Sequence, residues 1–180
     1  MAGVKLAMLR ETDLPPWASL ELAEKLAADV HAHDGWLLVS ERADLAKLAD
    51  ADGVLITSSS HPAIRTKALL GRGGVIGFVA RDEQDLEATS LDAADFVLVQ
   101  DVFPGDDLNA AVSPGDLARL RHAAGACKVP VIATGGITPQ RAPLALEAGA
   151  HGVAMCEAAM ESPNVALLVE AFRHVLGRID

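Results

Sequence analysis

The 180-residue sequence contains no tyrosine, two tryptophans and four phenylalanines, so aromatic packing cannot dominate its interior. Ala, Leu and Val must fill the core, and an apolar share of 51 % is enough for one sizeable core. Basic residues are scarce as well: 15 Lys and Arg stand against 25 Asp and Glu, a formal charge of −10. No run of Lys or Arg is present to track a phosphate backbone, which argues against nucleic-acid partners. Long apolar runs are missing. The longest stretches, such as "GVAM" and "GVLI", are strand-sized, far short of the roughly 20 residues that span a bilayer, so no membrane partner is expected. The opening "MAGVKLAMLRETD" meets acidic residues too early for a secretory leader, and a cytoplasmic protein is predicted. The two cysteines, Cys127 and Cys156, have neither disulfide-framework nor metal-site spacing and read as buried thiols of a reducing compartment. Tandem repeats and low-complexity linkers are absent, so residues 1–180 are predicted to form a single domain.

What is present is alternation. Short aliphatic runs bounded by turn residues recur with helix-patterned segments between them, which signals βα units and a parallel sheet. Seven strands are predicted, at Val4–Leu9, Trp36–Val39, Gly53–Thr57, Val75–Val79, Phe96–Gln100, Val131–Ala133 and His151–Met155. A first helix follows Pro15–Pro16, with Leu20, Leu22, Leu26, Ala27 and Val30 on one face. Further helices are expected over Ala43–Ala49, Pro62–Leu70, Glu83–Ala88, Pro114–Ala124, Pro139–Glu147 and Val165–Leu176, with Pro62, Pro114 and Pro139 in first turns.

Alternation alone does not separate an open sheet from a barrel. The last two units tip the reading towards a TIM-barrel-like α/β fold, because they resemble that fold's phosphate site. In "ATGGITPQ", Gly135 and Gly136 let backbone N–H groups approach an anion. After "HGVAM", the segment "CEAAM" is able to open a short extra helix aimed at the same place. The bland alternative is that Gly135, Gly136 and Gly152 only permit tight turns.

Six segments then resemble one family in order and approximate spacing: "AMLRETDL", "WLLVSERADLAKLADADGVLI", "GGVIGFVARDEQDLEA", "ADFVLVQDVFPGD", "VPVIATGGITPQ" and "AGAHGVAM". They are similar to the thiamine phosphate synthase / TenI superfamily of TIM barrels. The resemblance implies that Val4–Leu9 corresponds to the family's second strand, leaving the first strand–helix unit apparently missing from the sequence. It further implies a thiazole phosphate held at Thr134, Gly135, Gly136, Met155 and Cys156, with Glu157 standing where the family has a serine.

For the chemistry, the resemblance implies Mg²⁺ between two aspartates and a diphosphate held by Gln, Arg, Asn and Lys. Arg10 matches the arginine. Met8, Thr12 and Ser40 replace the Gln, Lys and Asn. Glu41 stands at the first metal position, and "ITSSSHP" puts Ser60 or its neighbours at the second. Asp106 and Asp107 lie in the loop that clamps phosphate in the family, an electrostatic reversal. The tautomerase branch uses a histidine where this sequence has Asp101, which is placed to act as a general base; the plain alternative is a solvated turn residue. The candidate catalytic residues are therefore Arg10, Glu41 and Asp101, with Glu41 a weak metal ligand. Three classes stay open: a Mg²⁺-dependent transferase, a metal-independent isomerase, and a non-catalytic binder or partner subunit. A homodimer is expected, because a missing first unit would leave strand edges to be covered.

Overall fold

The computed structural model describes residues 4–71, 73–88, 93–105, 108, 110–113, 115 and 117–177. Asp106, Asp107 and the predicted helix start at Pro114 lie outside the described residues. The elements run β1 (Leu6–Leu9), α1 (Pro16–His31), β2 (Trp36–Ser40), α2 (Ala43–Leu48), β3 (Gly53–Ile56), α3 (Ala63–Leu70), β4 (Val75–Ala80), α4 (Glu83–Leu86), β5 (Phe96–Val99), α5 (Ala118–Ala126), β6 (Val131–Ala133), α6 (Ala142–Glu147), β7 (Gly152–Val153), α7 (Glu157–Glu161) and α8 (Val165–Leu176). Seven parallel strands in chain order, each followed by helix, form the expected TIM-barrel-like α/β class. Among the described residues, no helix is long and apolar enough to cross a membrane.

The chain divides into two compact units. The first runs to Phe78 and takes in Ala88–Asp95. Its strands pair in parallel with Leu9 opposite Val39, Val39 opposite Val54, and Val54 opposite Ile76. Helix α1 starts at Pro16, where a missing N–H removes no helical bond. It buries Ser19, Ala23, Ala27 and Val30, while Leu20, Leu22 and Leu26 are only half-buried. Small residues thus seat the helix and the leucines flank it; Ala23 joins Val39, Leu45, Ala46 and Ala49 in one core cluster.

The second unit holds Val79–Glu87 and the chain from Phe96. Here Val97 pairs with Val131 and Ile132 with Gly152, both in parallel. Val97, Val99, Val131 and Ala133 are fully buried, and α5 packs on β5 and β6 while α8 packs on α6. Asn164 caps α8 by accepting from the Leu167 N–H at 3.2 Å.

Strand starts share one device. Asp52 donates its N–H to the Leu37 carbonyl at 2.9 Å and accepts the Leu37 N–H on its carboxylate at 2.8 Å. Asp95 does the same with Ile76, at 2.7 and 2.8 Å, and also pairs with Lys67. At β7 the place is taken by His151, whose Nδ1 accepts from the Val131 N–H at 3.2 Å. Each residue closes a two-bond ring with the neighbouring strand and fixes its register.

Several boundaries need correction. Pro139 does not open α6: the chain first turns, with the Arg141 and Ala142 N–H groups donating to the Thr138 carbonyl, and the helix begins at Ala142 with Pro143 in its first turn. Strand β7 spans two residues rather than five, because the backbone leaves the ladder after the Ala154 N–H meets the Ala133 carbonyl. Helix α4 stops at Leu86. The cysteines are not both buried: Cys127 is half-buried and Cys156 is exposed. Burial also pushes the Cys127 thiol up from its ordinary value, disfavouring the reactive thiolate. A thiol reagent is therefore expected to modify Cys156 well before Cys127, which peptide mass mapping at short times would show; equal rates would contradict it.

Candidate phosphate-binding site

Beyond β6, Thr134 extends the ladder by donating to the Val99 carbonyl at 2.9 Å. Gly135 and Gly136 then take φ of 90° and 60°, the left-handed region that costs other residues strain. Space makes the same demand. A Cβ on Gly135 would stand 2.6 Å from both the Cα and the N of Asp101, and one on Gly136 would strike the Phe103 carbonyl. Two loops therefore meet backbone to backbone, latched by Val102 N–H to Thr134 O at 3.0 Å and Phe103 N–H to Gly135 O at 3.2 Å. The N–H groups of Gly135, Gly136, Ile137 and Thr138 donate to no group among the described residues. Four such successive backbone donors are what an anion cradle built from main chain requires.

The neighbouring strand end carries the second half of the predicted site. Ala133 pairs with Val153, so Met155 and Cys156 leave the sheet at the same end as Gly135 and Gly136. Cys156 is the N-cap of α7 and caps it with no side-chain bond. Glu157 is the first helical residue and is exposed.

Asp101 is brought to this turn. It is exposed, with φ 53°, and its Oδ1 lies 3.3 Å from the place a Gly135 Cβ would take. Arg119, which sequence reasoning missed, donates Nη2 to the carbonyls of Gln100 and Asp101, the latter at 3.1 Å. Its Nε is buried without an acceptor among the described residues. A second arginine was also missed. Arg141 is 5 % exposed, donates to the Gly136 carbonyl at 3.0 Å and the Ala110 carbonyl at 2.8 Å, and lies over the Phe103 ring. It is the single charged residue between Lys128 and Glu147, which singles it out in the sequence without showing what it bonds.

In the other unit, Arg10 follows β1 and is exposed. The register of Leu9 with Val39 sets it beside Ser40, one residue short of Glu41. Glu41 is also exposed and left-handed, at φ 60°, and donates its N–H to the Leu55 carbonyl at 2.7 Å. Glu41 and Asp101 thus share the left-handed conformation, which the turn residues Asp34 and Asp50 adopt as well. Arg42 is turned to Asp44, 2.7 Å away; the Arg42 hydrogen bond holds that carboxyl below its ordinary range. Ser60 Oγ accepts from the Thr57 N–H at 2.9 Å and bonds the Thr57 hydroxyl at 3.1 Å. His61 is exposed ahead of the helix entry. Mg²⁺ seeks several oxygen ligands in octahedral array, usually one or two of them carboxylates. One exposed carboxylate and mutually bonded hydroxyls do not fit it, and no group of three His, Cys, Asp or Glu among the described residues is arranged to hold a metal.

Comparison with known proteins completes the picture. A model of the thiamine monophosphate synthase family matches residues 1–159. The thiamine-phosphate synthase of Moorella thermoacetica is 30 % identical, over 98 % of this chain and 84 % of that protein. That of Roseiflexus castenholzii is 32 % identical, over 90 % and 71 %. The structure of thiamine phosphate pyrophosphorylase from Pyrococcus furiosus superposes with a TM-score of 0.84 at 26 % identity, covering 98 % of this chain and 85 % of that one. By sequence and by fold, the chain belongs to the thiamine monophosphate synthase family.

Proposed function

We propose that this chain acts in thiamine biosynthesis by binding a thiazole-type phosphorylated ligand, with the phosphate on the backbone N–H groups that follow Thr134 and Met155. The observation that carries this reading is the run of donors from Gly135 to Thr138 that meet no acceptor among the described residues, opening on two left-handed glycines. Family membership supports the choice of ligand. Titration with inorganic phosphate, then with thiazole phosphate, is expected to move the amide resonances of Gly135 and Gly136. A sulfate-soaked crystal with Glu157 turned into the cradle and no anion there would refute the site.

For the chemistry, a metal-independent isomerase is favoured over a transferase. Asp101 lies against the phosphate turn, where a general base would reach a bound ring, whereas the residues at the family's metal positions suit Mg²⁺ poorly. Asp101→Asn is expected to slow tautomer exchange of thiazole phosphate by about 10²–10⁴-fold, the usual worth of general acid–base catalysis, with phosphate binding retained. Thermal shift decides between the two classes, since a ligand stabilises only through binding the native state. A rise in melting temperature with Mg²⁺ plus aminopyrimidine diphosphate would restore the transferase reading, with Arg10 and Glu41 as its residues.

A further inference from the structure

Arg141 occupies a place in the second unit that neither the family resemblance nor the phosphate reading assigns. Its guanidinium is buried, and a buried cation is retained only where it is well bonded. Nη1 donates to the Gly136 carbonyl and Nη2 to the Ala110 carbonyl, so one planar fork grips two loops at once. The Phe103 ring, centred 5.4 Å from the guanidinium carbon, supports it from one side. Phe103 belongs to the loop after β5 and Gly136 to the loop after β6. The backbone of Arg141 continues the grip, since its N–H donates to the Thr138 carbonyl at 3.1 Å.

A peptide unit points its N–H and its carbonyl in opposite directions. Holding the Gly136 carbonyl towards Arg141 leaves the Ile137 N–H, the other end of the same peptide unit, to face away from it; the Thr138 carbonyl is followed by Pro139, which has no N–H, so that bond anchors the turn without orienting a donor. Left-handed glycines alone do not fix that orientation, because glycine moves freely among its conformations. The grip also sets a positive charge behind the cradle: Nη1 lies 3.1 Å from the place a Gly136 Cβ would take. We infer that Arg141 is the positioning residue of the anion cradle, orienting its Ile137 donor, anchoring the turn at Thr138 and adding charge without touching the ligand. The inference rests on the phosphate reading and names what makes that site work.

The test compares wild type, Arg141→Met and Arg141→Lys by titration with inorganic phosphate, following the Gly135 and Gly136 amide resonances, with melting temperatures recorded alongside. Arg141→Met is expected to weaken phosphate binding about tenfold or more, the size of one charge-assisted hydrogen bond. Arg141→Lys keeps the charge but grips one carbonyl, and is expected to recover part of that loss. Loss of phosphate affinity in a folded Met variant whose melting temperature stays near that of the Lys variant, with affinity recovered by lysine, is what a merely structural role would not produce. If the Met variant does not fold, the Lys variant carries the test, with about threefold weaker binding than wild type expected from loss of one of two bonds. Wild type that binds while the folded Met variant binds equally well overturns this inference and leaves the site standing. Equal affinity of the Lys variant and wild type, where only these fold, overturns it too. Wild type without shifts at Gly135 and Gly136 overturns the site, and this inference with it.

Discussion

Gly135→Ala is expected to lower stability by about 2–5 kcal/mol, combining roughly 1–2 for a left-handed alanine with roughly 1–3 for overpacking. The overpacking arises because the new methyl would stand 2.6 Å from the Asp101 Cα and N, atoms of a backbone that cannot rotate aside as a side chain does. At about 2–4 °C per kcal/mol for a chain of this size, the melting temperature should fall by about 5–20 °C. Phosphate binding should fail as well, since the loop must open where the cradle forms. Thermal denaturation paired with phosphate titration measures both. A variant that melts within about 1 °C of wild type would mean that neither strain nor overpacking acts at this turn.

A second large effect is expected at Asp95, where two substitutions separate two roles. Its carboxylate accepts the Ile76 N–H at 2.8 Å and pairs with Lys67. Asp95→Ala leaves that N–H without its acceptor at a strand start and should cost about 1–3 kcal/mol, the penalty for an unmade buried hydrogen bond. Asp95→Asn keeps an acceptor oxygen and loses only the ion pair, which is about 40 % exposed on both sides; exposed pairs are worth about 0–1 kcal/mol. Urea denaturation should therefore rank wild type and Asn close together and Ala well below. If Asn and Ala fall by the same amount, the ion pair rather than the backbone bond carries the stability.

Element positions were legible because each strand is a short aliphatic run between turn residues, and the cores of β2, β3, β5 and β6 fall where those runs lie. Boundaries were less legible where hydrogen bonds compete. Pro139 suits a helix start, yet the Thr138 carbonyl draws the next N–H groups into a turn and the helix waits for Ala142. The face of α1 was found in part: Ala27 and Val30 are buried as expected, while Leu20, Leu22 and Leu26 flank the contact and the small Ser19 and Ala23 fill it. Cys156 read as buried because free cysteine usually is, but its place at the cap of α7 exposes it. At the candidate site, the glycines announced the turn and the strand order brought Asp101 to it. Arg119 and Arg141 were not found. Their partners are carbonyls, which every residue carries, so no side-chain pattern in the sequence marks the pairing.

The acids that fix register, Asp52 and Asp95, sit at strand beginnings, whereas Gly135, Gly136, Asp101 and Glu41 follow strand ends. Register-fixing residues and candidate site residues thus lie at opposite ends of the strands that carry them, as is usual for barrels of this class. Such a separation makes the protein evolvable: a residue that follows a strand end can be exchanged while every register ring closes as before. A lineage can wander from one reaction to another through its loops with the scaffold's inheritance untouched. The same separation sets the order for engineering, in which loops after β2, β3 and β5 are the places to install a new carboxylate or lysine, and the residues before β3 and β5 are the ones to leave alone.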